Sequence, residues 1–259
     1  MVYNTINKFF SKWEKISKLT LINFRKMKGK SSLRVYMLFI ASILLIISSC
    51  KKNEDDKTIM DADGNLYTSV TIGTQVWLVE NLKTTKLNDG TAISYITEQT
   101  AWSNTSEPAY CWYDKNISNK DPYGALYNWY AVESGKLCPK GWHVPSEAEW
   151  TELVNFLGGE SVAGGKLKTT GTIEDGDGVW YEPNVDATNE TGFSVLPGGY
   201  LSSTFKFWDI GYGGVWWTST EYPSDLAYYF FINNYNGEVG DSESGMDKNG
   251  GLSVRCLQD

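Results

Sequence analysis

The chain holds one histidine, His143, and four cysteines, Cys50, Cys111, Cys138 and Cys256, in 259 residues. Any Ser-His-Asp or Cys-His system would have to use that single imidazole. His143 stands in a Trp-His-Val-Pro turn just before a helical pattern, where a structural hydrogen-bonding role is expected. So few soft ligands also make a zinc or copper site improbable, and no phosphate loop or dinucleotide fingerprint occurs. The uncharged apolar run Val35–Ile47 stops at 13 residues, short of the roughly 20 that span a bilayer. Basic charge is scarce after that run. Nine of the 23 Lys/Arg but one of the 31 Asp/Glu precede Cys50, leaving 14 against 30 from Cys50 onward, a net charge of −16. That balance repels phosphate backbones and excludes a nucleic-acid partner. It suits a soluble face or cation binding.

The first 49 residues read as an address. Lys26, Lys28, Lys30 and Arg34 precede the apolar run, and Ser48-Ser49-Cys50 follows it, which is the layout of a secretion signal. Ile47-Ser-Ser-Cys50 resembles the lipobox of bacterial lipoproteins, in which the cysteine thiol carries a diacylglyceryl group. Cys50 is therefore the expected lipidation site, and the membrane the expected partner through it. Met27 is the expected start, since a signal of Met27–Ser49 has ordinary length. Lys51-Lys-Asn-Glu-Asp-Asp56 reads as a solvated tether. It also resembles the surface-export signal of Bacteroidetes-type bacteria, so the outer-membrane-anchored chain would face either the cell exterior or the periplasm. The organisation is thus a signal over 1–49, a lipidated cysteine and tether over 50–59, and one domain over 60–259.

The mature part keeps ten of the eleven tryptophans and most of the 25 glycines. Aromatic, Gly-rich and Leu-poor composition favours strands, turns and ordered loops over a helical bundle. Leu66–Ile72 and Gln75–Val79 flank Gly73-Thr74 as in a two-residue hairpin. A first helix is expected over Tyr123–Val132. A second begins at Ser146, where Ser146 and Glu149 have capping-box spacing; Trp150, Leu153, Val154 and Leu157 form its buried stripe, and Gly158-Gly159 ends it. Phe193–Leu196, Val215–Ser219, Ala227–Ile232 and Leu252–Leu257 are expected strands, with a turn at Asn236-Gly237. Residues between the Ser146 helix and 215 read as one long ordered loop region, and loops of that length are usually functional.

Several words of sequence carry a resemblance. They are Asp61-x-Asp63-Gly64-Asn65-x-Tyr67, Ile72-Gly73-x-Gln75-x-Trp77, Glu80-Asn81-Leu82, Tyr123–Val132, Cys138-Pro139-x-Gly141-Trp142-His143-Val144-Pro145, Glu149-Trp150, Ala187–Phe193, Leu196–Gly199, Trp216-Trp217-x-Ser219-Thr220 and Ser253–Cys256. In this order they resemble the fibrobacter major paralogous domain, the FISUMP-type domain. That resemblance implies an α+β, C-type-lectin-like domain, with two helices, antiparallel sheets and a long loop region. It also implies a Cys138–Cys256 disulfide and leaves Cys111 as a small buried hydrophobe. It implies no established activity. Trp142–Trp150 also resembles the formylglycine-generating oxidases, but their copper-binding cysteine pair has no counterpart here.

The expected function is a non-catalytic binding or adhesion module for a glycan or protein ligand. A cryptic enzyme and a scaffold lipoprotein are the alternatives. Trp208, Asp209 and Tyr212, in the Gly-bounded segment Phe207–Gly213, are the leading ligand-binding candidates, before Trp180, Glu182, Asn184 and Asp225. Aromatic faces and carboxylates are what sugar hydroxyls or protein anchors require. Asp175 and Asp177 in the long loop are the candidate Ca²⁺ ligands. Glu182-Pro183-Asn184 matches the tripeptide with which mannose-type C-type lectins hold Ca²⁺ and sugar, without its Trp-Asn-Asp partner. Asp61 and Asp63 are spaced like the start of a calcium loop but lack a closing Glu, so a hairpin turn explains them better.

Overall fold

The computed structural model describes residues 59–259 apart from 224, 242 and 243. The signal segment, Met27, Cys50 and the charged run after it lie outside the described residues. Asp61 builds the first turn. Its Oδ1 accepts the amides of Asp63 and Asn65 at 2.9 Å, and its Oδ2 accepts Asn65 Nδ2 and the Tyr67 hydroxyl at 2.7 Å. The turn joins Ile59–Met60 (β1) to Leu66–Tyr67 (β2). Ile59, the last residue of the expected tether, is paired with Tyr67.

Ser69–Ile72 (β3) and Gln75–Leu78 (β4) form the expected hairpin, with Ile72 opposite Gln75. On its other edge β4 meets the C-terminal strand Leu257–Gln258 (β15), which also pairs with Trp142–His143 (β8). A small sheet joins Ser94–Tyr95 (β5), Ala109–Cys111 (β6) and Leu126–Tyr127 (β7). The largest sheet runs in the order Phe207–Ile210 (β10), Gly198–Leu201 (β9), Gly213–Tyr222 (β11), Leu226–Asn233 (β12) and Val239–Asp241 (β13). Met246–Asp247 (β14) pairs with a different part of β12. Of these named strand pairs only β5–β6 and β9–β11 are parallel. The fold is α+β with mostly antiparallel sheets and few helices.

The helices are Gln99–Ser103 (α1), Lys120–Tyr123 (α2), Trp129–Glu133 (α3), Glu147–Phe156 (α4) and Glu160–Leu167 (α5). The helix expected over Tyr123–Val132 is broken. Gly124 turns away at φ +81°, with the Leu82 carbonyl 2.6 Å from where a Cβ would sit, Leu126–Tyr127 is a strand, and Asn128 caps the short α3 by accepting the Ala131 amide at 3.2 Å. The Ser146–Glu149 capping box starts α4 as expected, and Trp150, Leu153, Val154 and Leu157 are buried. The region after it is not one loop. It opens with α5, whose Gly164 and Gly165 look like helix breakers but are required by contact. A Cβ on Gly164 would stand 2.2 Å from the Glu238 carbonyl oxygen, and one on Gly165 would stand 2.4 Å from that of Asp186. Phe193–Leu196 is not a strand either; only Val195 bridges, to Lys168, and the strand starts at Gly198. Near the C-terminus, Leu252, Val254 and Cys256 are buried as expected, but Ser253 and Arg255 are buried as well, so neither face of that segment meets water.

Arg255 lies at the centre of the molecule, 1 % exposed. Its Nη1 donates to the Phe193 carbonyl, and its Nη2 and Nε donate to Asn81 Oδ1 at 3.1 and 3.4 Å. The guanidinium lies over the Phe193 ring, 4.3 Å from its centroid. Asn81 Oδ1 also accepts Trp216 Nε1 at 2.9 Å, and Asn81 Nδ2 donates to the Tyr123 carbonyl at 2.9 Å. Burial pushes the Arg255 pKa down to about 9, against the attraction of Glu80. Around this clamp Trp77, Trp150, Phe193, Trp216 and Phe230 pack with ring centroids 4.9–6.2 Å apart, the spacing at which edge-to-face and offset contacts are favourable.

Cys138 and Cys256 are bonded, closing a separation of 118 residues beside the clamp. Cys111 is free and buried, and burial pushes its thiol pKa up, as fits an inert packing residue. Cys256→Ser should lower stability under non-reducing conditions by about 2–5 kcal/mol, because it frees a long loop in the unfolded chain. An unchanged denaturant midpoint would contradict this.

Candidate functional site

Period-two alternation along β12 gives its two faces different tasks. Phe230 and Ile232 point into the tryptophan cluster, where Phe230 stacks on Trp150 of α4 at 5.3 Å. Tyr229 and Phe231 point the other way, opposite Trp217 and Val215 of β11. On that second face lies an open cleft of about 400 Å³, lined by Tyr200, Asp209, Tyr212, Tyr229, Phe231 and Tyr235 among others. Gly213 and Gly214 of β11 also line it.

Two aromatics of the lining are exposed, Tyr212 at 51 % and Tyr235 at 66 %, as is Trp208, next to Asp209 in β10, at 48 %. Tyr212 is held by stacking on Tyr181, with centroids 4.5 Å apart, and Trp208 stands opposite Tyr200 in the β9–β10 register. Asp209 sits at φ +63°, a backbone region that Asp tolerates better than most residues. As a residue it is exposed, yet burial alone raises its pKa, so its carboxylate is shaded by the cleft and no cation offsets the loss of water. Burial also raises the pKa values of Tyr200 and Tyr229, with Asp209 adding to the first and Asp241 to the second.

The wall carrying Tyr235 is tied down by an internal ammonium. Lys168, fully buried, donates from Nζ to the carbonyls of Val185, Asn233 and Asn236 at 2.7, 3.0 and 2.8 Å. Burial lowers its pKa to about 8, against the attraction of Asp186. Asn233 Oδ1 accepts the amides of Tyr235 and Asn236 at 3.1 Å. Asn234 Nδ2 donates to the carbonyls of Tyr181 and Glu182 at 3.0 and 2.8 Å, which joins the same wall to the segment behind Tyr212.

The candidates named from the sequence divide. Asp209 and Tyr212 line the cleft; Trp208 stands beside it. Trp180 does not belong to a binding surface: it is fully buried, its Nε1 donating to Thr169 Oγ1 at 2.9 Å. Asn184 is likewise buried, donating to the carbonyls of Thr169 and Gly171 at 3.0 Å. Glu182 is exposed, next to a cis Glu182–Pro183 bond, outside the cleft lining. Asp225 lies in the β11–β12 turn, where its charge acts on Lys248 and Tyr130, away from the cleft. Asp175 and Asp177 turn onto their own loop: Asp175 Oδ2 accepts the Thr172 hydroxyl at 3.0 Å and Asp177 Oδ1 the Thr172 amide at 2.9 Å. His143 bridges two carboxylates, Nδ1 to Asp259 at 2.8 Å and Nε2 to Glu149 at 3.0 Å. Burial disfavours its charge, but the two hydrogen bonds outweigh that and raise its pKa.

Tyr200, Tyr229, Phe231 and Tyr235 escaped the sequence reading. The signal for two of them was present in Ala227-Tyr-Tyr-Phe-Phe-Ile232, which is aromatic at successive positions and so puts rings on both faces of one strand.

The family model described as the Fibrobacter succinogenes major domain matches residues 70–258. That span begins after the Asp61–Tyr67 words. No curated protein and no solved structure matches the chain.

The division between core and rim makes a paired prediction. Trp180→Ala should cost about 3–5 kcal/mol, as expected for emptying a large buried site. Trp208→Ala should stay within about 0.5 kcal/mol of wild type, as for an exposed residue. Equal costs by denaturant unfolding would show that the two tryptophans are misassigned.

Proposed function

The chain belongs to the Fibrobacter succinogenes major domain family, and we propose that it is a non-catalytic binding module of the cell envelope that receives its ligand in the aromatic cleft. The open cleft carries the reading: exposed Tyr212 and Tyr235 at its rim, Tyr200, Tyr229 and Phe231 in its walls and one shaded carboxylate, Asp209. Tyr and Trp at the edge of a concave site are the residues that dominate recognition energy. A rigid wall lowers the ordering cost of binding, and the Lys168 ties supply one. The non-catalytic reading is further supported by the commitment of the only histidine to a structural bridge and of Cys138 and Cys256 to a disulfide.

The lipobox-like Ile47–Cys50 supports attachment to the outer membrane through a lipid on Cys50, with the domain facing the cell surface or the periplasm. The order of elements supports a C-type-lectin-like arrangement: helices on either side of Cys138, a long connecting region, and antiparallel strands leading to Cys256. A glycan or a protein surface would supply the ligand.

Presenting the purified chain to a glycan array and a peptide array should give binding that Tyr212→Ala and Tyr235→Ala each reduce by about tenfold or more without a change in circular dichroism. Tenfold corresponds to 1.4 kcal/mol, within the range of one aromatic anchor. Binding that survives both substitutions would place the ligand elsewhere and remove the cleft from the account.

A further inference from the structure

Resting on that reading of the cleft, we infer that its ligand group is an ammonium, and that the occupant is a lysine side chain of a protein partner. The argument begins with what is available to a ligand. Among the described residues that line the cleft one is charged, Asp209, and none of them is a Lys, Arg or His to answer it. No hydrogen bond engages the Asp209 carboxylate among the described residues, and it lines the same cleft as five aromatic rings, from Tyr200, Tyr212, Tyr229, Phe231 and Tyr235. A carboxylate among aromatic faces, partly removed from water, is the chemistry that selects an organic cation. The rings attract it through their quadrupoles, and the carboxylate supplies the counter-charge.

Bidentate recognition of sugar hydroxyls is chiefly the work of side-chain amides and carboxylates, and the two amides in the lining are already used, which leaves Asp209 and the tyrosine hydroxyls. Asn233 Oδ1 holds two backbone amides and Asn234 Nδ2 holds two carbonyls. Both residues are buried, at 8 % and 4 %. The remaining lining includes Val215 and Met246, apolar surface that a tetramethylene stem would cover. Lysine combines that stem with an ammonium head. The exposed Tyr212 and Tyr235 of the lining, and Trp208 next to Asp209 in β10, are the residue types that anchor protein partners. The net charge of −16 from Cys50 onward favours a basic partner at longer range.

The test is a titration of the purified chain, followed by two-dimensional amide NMR, with three probes: the capped peptide acetyl-Gly-Lys-Gly-amide, the same peptide acetylated on the lysine Nζ, and glucosamine. The inference expects saturable shifts of Asp209 and Tyr212 with the lysine peptide and at least about tenfold weaker binding of the other two. Asp209→Asn keeps the side-chain shape and the left-handed backbone, and should weaken the lysine peptide by about tenfold while leaving the acetylated peptide unchanged. Equal binding of the acetylated peptide, an Asp209→Asn variant that binds like wild type, or no saturable binding of the lysine peptide would each overturn the ammonium assignment. Glucosamine binding as tightly as the lysine peptide would overturn the protein partner. None of these results touches the cleft reading, which fails only if the array binding survives Tyr212→Ala and Tyr235→Ala.

Discussion

The fold is organised by a charge that cannot leave the interior. Arg255 is fully buried without an ion pair to a carboxylate among the described residues, and it is satisfied by one amide oxygen, one main-chain carbonyl and one aromatic face. Each partner comes from a different stretch of chain: Asn81 follows the β3–β4 hairpin, Phe193 ends the segment that returns toward the large sheet, and Arg255 itself adjoins the disulfide. A buried cation tolerates little displacement of its acceptors, because leaving it unpaired costs far more than the hydrogen bonds alone are worth. Asn81 then passes the constraint on, through Trp216 to β11 and through the Tyr123 carbonyl to the end of α2. The words that identify the family are therefore mostly words of this scaffold. Asn81, Gly124, Asn128, Trp129, Trp216, Trp217 and Arg255 each make a buried bond or a contact too close for a side chain.

The scaffold packs one face of the β11–β12 pair against α4; on the other face Trp217 and Ala227 join a second core cluster, and Tyr229 and Phe231 reach the cleft. Alternation does the separating. Trp216, Phe230 and Ile232 serve the core, whereas Val215, Tyr229 and Phe231 serve the cleft. Lys168 performs for the cleft wall what Arg255 performs for the core, offering a buried cation to carbonyls from Val185, Asn233 and Asn236. Two buried cations in a strongly acidic domain gather acceptors from separate loops, since each donates several hydrogen bonds from one point.

Local chemistry was legible in the sequence where a short pattern has one physical meaning. The Gly73-Thr74 hairpin, the Ser146–Glu149 capping box and the α4 stripe are of that kind. The disulfide followed from the family resemblance. The reading failed where tertiary contact overrides propensity. Gly164 and Gly165 argue against a helix until the backbones of Glu238 and Asp186 are seen pressed against them. Leu126–Tyr127 follows a helical apolar stripe but is claimed by β6 as a strand. The proposed cleft was half legible. The segment Phe207–Gly213 was identified by its aromatic and acidic residues between glycines, but Trp180 and Asn184, equally suitable by type, are interior. Nothing in residue type separates an aromatic that stacks on a ligand from one that fills a core; only burial does. The opposite wall, Tyr229 to Tyr235, needed the strand register before its rings could be assigned to the cleft.

The claim that a buried guanidinium and its amide acceptor organise the fold is tested most directly by a double-mutant cycle in denaturant unfolding, using Asn81→Leu, Arg255→Met and the pair. Asn81→Leu alone should cost about 3–5 kcal/mol, because it strands a buried charge. The pair should cost less than the two single changes together by more than about 1 kcal/mol, because the second substitution removes the charge that the first left unpaired. Strictly additive costs would show that Asn81 and Arg255 act independently, and would contradict the account.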